Sequence, residues 1–216
     1  MLVTFLITSC KESTNSNHSE ISKNSSKTKK FTNNDLLVSI TFSDGPLKGT
    51  HKFVKEKGKM ISSNTVGYLD ETTKNPNQRN STTLSASALI SEDGKLKLQF
   101  LTKYFKGKIE KGDHKAVYIV NSGEEKYCTT FTIENNGHPF SFNRMFSKNI
   151  TCGTTEITGF SEWKEGTVTN RRNVSGNFTD TFELEFNDKD GKNVQKVTSE
   201  IKVTFTSRQQ EMKTTN

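Results

Sequence analysis

The chain is poor in residues that usually carry recognisable chemistry: its 216 positions hold three cysteines, four histidines, three prolines and one tryptophan. His18, His51, His114 and His138 never fall within ligand spacing of one another and none neighbours a cysteine, so no zinc site is expected. There is no G-x-S-x-G stretch and no Cys–His arrangement suited to nucleophilic catalysis. The isolated apolar run Leu2 to Ile7 is far short of the roughly 20 residues a bilayer-spanning helix needs. No segment carries a 3.6-residue apolar period, which argues against a helical domain. Hydrophobic residues make up 30% of the chain and mean hydropathy is −0.74, so the core must be thin. Fifteen phenylalanines nevertheless argue against complete disorder. Few prolines beside 14 glycines and much Ser, Thr and Asn suit a sheet protein with tight turns. A net charge of +7 favours acidic partners without identifying them.

From residue 35 the apolar period is two. Leu36, Val38, Ile40 and Phe42 share a face before the turn SDGP, and Leu96, Leu98 and Phe100 alternate after SEDG. In AVYIV, Val117 and Ile119 oppose Tyr118 and Val120; apolar on both faces, this segment reads as a central strand. Tyr127, Thr129, Phe131 and Ile133 alternate before NNGHP, and Phe140, Phe142 and Phe146 follow. Phe178, Asp180, Phe182, Leu184 and Phe186 share one parity ahead of the turn NDKDG, answered by Val197, Ile201, Val203 and Phe205. Strands at such spacing predict an all-β domain over residues 35–208, an antiparallel β-sandwich or alternatively a small up-and-down β-barrel. Residues 209–216 read as a disordered tail.

Ahead of that domain, Ile7-Thr8-Ser9-Cys10 resembles the bacterial lipobox, which makes residues 1–9 a lipoprotein signal peptide and Cys10 the lipidated N-terminus. Met1-Leu2-Val3 lacks the basic residue that opens such signals, so the natural start is expected upstream. Residues 10–34 are dominated by Ser, Asn, Lys and Thr and read as a disordered tether that could not offset its ordering entropy by burial. Lys11-Glu12 resembles the signal that sends Bacteroidetes-type lipoproteins to the outer face of the outer membrane. The stretch EGTVTNRRNVSGNFTDTFELEF with its following hairpin is similar to the closing module of uncharacterised Bacteroidetes outer-membrane lipoproteins. That likeness implies an acylated (palmitate-type) anchor, held by about 0.8 kcal/mol per buried methylene, and implies no activity.

With Cys10 acylated in an oxidising compartment, Cys128 and Cys152 form an even pair, expected to close a disulfide rather than remain two free thiols. Parity places Cys128 opposite Phe131 and Ile133, away from the apolar core. Asp188-Lys189-Asp190-Gly191 lacks the later acidic ligand of a calcium loop and reads as a turn. Glu162 and Glu165 flank Trp163 as carboxylates commonly do on a solvated loop, which is a poor case for glycoside chemistry. Lysines alternate with core aromatics in HKFVKEKGKM and KLKLQFLTKYFKGKIEKGDHK, so nucleic acid is not expected as a partner. Sequons such as those at Asn80, Asn149, Asn173 and Asn177 reflect the abundance of Asn, Ser and Thr. Trp163 lies in a turn-like segment near Lys164, Arg171 and Arg172, where an indole beside cations suits a sugar or an acidic partner, or simply plugs one end of the domain.

These features predict a non-enzymatic, lipid-anchored protein of the cell outer membrane that binds a glycan or envelope protein, with no cofactor, metal or catalytic residue. The alternative is a lipocalin-like barrel carrying a lipophilic small molecule; LKGTHKF resembles the first strand of such barrels, with His51 where they more often carry Trp.

Overall fold

The computed structural model describes residues 37–56, 62–120, 125–137 and 141–212. The proposed signal, Cys10 and the tether to Asn34 lie outside the described residues, as do Leu36, His138, Phe140 and residues 213–216. The described strands are β1 (Val38–Phe42), β2 (Gly49–Lys55), β3 (Ser63–Leu69), β4 (Ser81–Ser91), β5 (Leu96–Lys106), β6 (Gly112–His114), β7 (Ile119–Val120), β8 (Lys126–Tyr127), β9 (Thr129–Asn135), β10 (Arg144–Phe160), β11 (Thr169–Asn187) and β12 (Asn193–Met212). Among the described residues one 3-10 turn is found, at Pro76–Gln78.

The domain is all-β, as its period predicts. Antiparallel pairings run β1–β2–β4–β5–β9–β10–β11–β12 and return from β12 to β1. These strands belong to one large sheet that closes on itself, so its facing walls are hydrogen-bonded to each other along both sides. It departs from a clean up-and-down barrel at β3, which follows β2 along β4 and pairs in parallel with Arg208 and Gln209 of β12. The walls meet through aromatic rings: Phe42 of β1 lies 6.2 Å from Phe131 of β9, itself 5.0 Å from Phe182 of β11. Phe53, Phe105, Phe178, Phe186 and Phe205 are also fully buried. Each such side chain contributes roughly 1.5–3 kcal/mol by leaving water, which is how a chain of low mean hydropathy still folds.

Strict alternation holds where the ladder is regular, in β1, β11 and the centre of β12. It fails where the ladder is not. A register shift between Leu98 and Phe100 turns Phe100 outward and hands the core face to Leu101, Lys103 and Phe105. AVYIV is not a central strand: Tyr118 and Val120 are exposed, and Ile119 with Val120 forms a two-residue ribbon against β8. Phe146 faces solvent beside Arg144. The tail expected from residue 209 is still strand through Met212, because those residues pair with Thr169–Arg172 of β11. Glycine in the "V-S-G" phrase has a packing reason: a Cβ on Gly176 would lie 2.6 Å from the Phe205 ring.

Candidate functional site

Two groups of charged residues stand out, and they sit in opposite environments. The first is inside. Lys103 of β5 and Asp180 of β11 are both fully buried, with the ammonium 2.9 Å and 2.8 Å from the two carboxylate oxygens. Asp180 also accepts from the Gly153 N–H at 2.7 Å and from the Thr129 hydroxyl. The ammonium lies 3.4 Å from the Gly153 carbonyl and 4.7 Å above the Phe178 ring. Burial pushes Lys103 below its ordinary titration range, against the opposing pull of Asp180.

The expected disulfide joins Cys128 to Cys152 beside this pair. Cys128 does not face away from the core as its parity suggests; it is fully buried, with Sγ 3.4 Å from the Lys103 ammonium. The alternation is reset there because the chain bends at residue 128, between β8 and β9. Asn149 holds that bend by accepting from the N–H groups of Cys128 and Thr129, at 3.2 Å and 2.8 Å. The charged members of the cluster partner one another, while the Asn149 amide nitrogen beside them has no hydrogen-bond partner among the described residues.

The second group is at the surface, where β10 ends and β11 begins. A cleft of about 530 Å³ is lined there by Lys164, Arg171, Arg172 and Arg208, with Glu165, Thr167 and Asn173. The β10–β11 connection folds back onto β11: the Lys164 N–H donates to the Arg171 carbonyl at 2.7 Å, and the Lys164 carbonyl accepts from the Arg171 N–H at 2.9 Å. Gly166 permits this, since a Cβ there would come within 2.5 Å of the Thr169 carbonyl oxygen. Arg172 shares the parity of Val174 and Phe178, but its strand has left the core by that point. Its guanidinium lies 4.0 Å from the Phe160 ring on one contact and 4.6 Å from the Trp163 ring on another, and its Nε donates to Gln209 Oε1 at 2.7 Å.

Of the residues singled out in the sequence, Lys164, Arg171 and Arg172 therefore converge on one cleft, and Trp163 is placed beside it, 37% exposed. Sequence reasoning missed Arg208, which the final hairpin pairs with Asn173. Counting back from the NDKDG turn would have placed it there. The buried pair was also missed, although Lys103 and Asp180 each occupy a core parity, and a charge on that parity is the signal. Asp188 accepts from the N–H groups of Asp190 and Lys192, both at 2.9 Å, as a turn residue does. Among the described residues no group of three or more His, Cys, Asp or Glu side chains is placed to hold a metal ion, and no helix is long and apolar enough to cross a membrane. Comparison with protein families, curated proteins and solved structures finds no match to this chain.

Proposed function

We propose that this chain is a non-enzymatic binding module, lipid-anchored at the bacterial outer membrane through Cys10, which engages an envelope component at the cleft beside Trp163. The observation that carries the reading is the convergence of Lys164, Arg171, Arg172 and Arg208 on one cleft next to the only tryptophan. Unlike the buried charges, Lys164 and Arg171 are exposed, and Arg172 and Arg208 are half-buried where they line the cleft. The anchor rests on the sequence: the lipobox-like ITSC, the apolar run before it and the polar stretch after it. A surface site is favoured over a carried lipophilic molecule because Phe42, Phe131 and Phe182 pack against one another inside the walls.

The test has two arms. Expression of the full natural gene with labelled palmitate should mark the wild type and not Cys10→Ala, while both keep the same β-sheet circular dichroism. Equal labelling of the two, or of neither, removes the anchor. Unlipidated Cys10→Ala protein should then bind a purified outer-membrane fraction saturably and lose most of that binding in Trp163→Ala. Absence of saturable binding by the parent protein would overturn the binding-module reading.

A further inference from the structure

Resting on the cleft as a binding site, we infer its ligand class: an acidic glycan, whose carboxylate or sulfate groups are gripped edge-on by Arg172, with Arg171, Arg208 and Lys164 supplying charge around it. The argument starts from how completely Arg172 is positioned. Aromatic rings of Phe160 and Trp163 lie 4.0 Å and 4.6 Å from the guanidinium, and Nε is held by Gln209 at 2.7 Å. No described residue accepts a hydrogen bond from its two terminal nitrogens. An arginine set against two rings and held at its Nε keeps its terminal N–H groups, the parallel donors that match a planar or tetrahedral oxyanion two at a time. Such positioning removes the rotamer entropy a free arginine loses on binding.

Three further cations and one carboxylate, Glu165, share the cleft, so the lining keeps a positive excess suited to more than one anionic group. Thr167 and Asn173 add neutral hydrogen-bonding groups of the kind that pair with sugar hydroxyls. Both ring systems recorded at the site, Phe160 and Trp163, are engaged by Arg172. That favours a sugar acid over a nucleic acid, whose bases would need stacking platforms of their own.

Trp163 is the sole indole of the chain and lies against Arg172, so its emission reports on the site directly. The unlipidated full chain would be titrated with polygalacturonate (carboxylate), heparin (sulfate), neutral dextran and oligodeoxythymidylate, reading Trp163 emission and heat. Polygalacturonate or heparin should saturate the signal, the tighter of the two naming the oxyanion, and dextran should leave it unchanged. Arg172→Lys should weaken that binding by about tenfold or more with an unchanged thermal melt, because the charge stays and the fork goes. Exposed Arg171→Gln, which leaves the ring packing untouched, should weaken it less.

Equal affinity of Arg172→Lys and wild type would overturn the edge-on grip. Dextran binding as tightly as the acidic polymers would overturn the anionic class while leaving the binding module standing. Oligodeoxythymidylate binding as tightly, through the same variants, would overturn the glycan. Failure of every probe, with the outer-membrane fraction still bound, removes this inference alone; failure of that fraction as well removes both.

Discussion

Lys103 and Arg172 are both cations set against aromatic rings, and they differ in what is left over. Lys103 lies above Phe178 with its side chain fully buried, and its ammonium meets Asp180, the Gly153 carbonyl and the Cys128 sulfur. Arg172 is packed against Phe160 and Trp163 at the end of the domain, among the residues that line a cleft. The interior pair resists desolvation only by complete satisfaction, and a satisfied donor has nothing to offer a ligand. The half-buried arginine spends only its Nε donor on a described residue, which leaves its terminal donors available for recognition. Position relative to the core, more than residue type, separates a structural charge from a binding one.

The comparison breaks most visibly from the inside. Asp180→Ala should destabilise the domain by about 3–5 kcal/mol, since it leaves the Lys103 ammonium buried and unpaired and orphans the Gly153 N–H. Urea unfolding measures this, and a loss under 1 kcal/mol would mean that water reaches the site. Replacing both partners, as in Lys103→Met with Asp180→Leu, should recover part of the loss but not all, because Gly153 and Thr129 remain without their acceptor.

Next in size is the disulfide. Cys128 and Cys152 are 24 residues apart, and opening a loop of about that length should cost roughly 3.5 kcal/mol in the chain-entropy model. Cys128→Ala with Cys152→Ala tests this by the same unfolding curves. Acidic-glycan affinity should stay at the wild-type value in the folded protein, since neither cysteine lines the cleft.

Arg172→Ala should show the opposite split. Its stability cost should be about 1–2 kcal/mol, because the half-buried guanidinium leaves two rings and Gln209 Oε1 loses its donor, still below the cost of Asp180→Ala. Iodide quenching of Trp163 should rise, because the guanidinium no longer covers the ring. A melt collapsing as far as that of Asp180→Ala would place Arg172 among the structural charges.

The smallest effect is a pH dependence. Burial holds Lys103 below its ordinary value of 10.5, so between the lowered value and 10.5 the unfolded chain binds the extra proton. Stability from this group is therefore gained as pH rises through that window and lost as pH falls through the lowered value. Wild type measured against the Lys103→Met, Asp180→Leu double variant should gain relative stability as pH approaches 10.5, and a flat difference would show that the pair titrates as it does in water.

The sequence by itself determined that the described domain is sheet, because a two-residue apolar period over β1, β9, β11 and β12 can bury one face only in a strand. It also made the Cys128–Cys152 pairing the expected one and set Trp163, Lys164, Arg171 and Arg172 within a short stretch of chain. Tertiary structure decided the rest. The bulge at Phe100, three register shifts in β10 and the bend at Cys128 each invert the parity, and a local pattern cannot announce its own interruption. Lys103 and Asp180 are 77 positions apart, so the partner that makes a buried lysine tolerable is fixed only by how β5, β9, β10 and β11 lie side by side. Arg208 joins the cleft for the same reason: strand pairing, unlike strand formation, is set by contacts between distant segments.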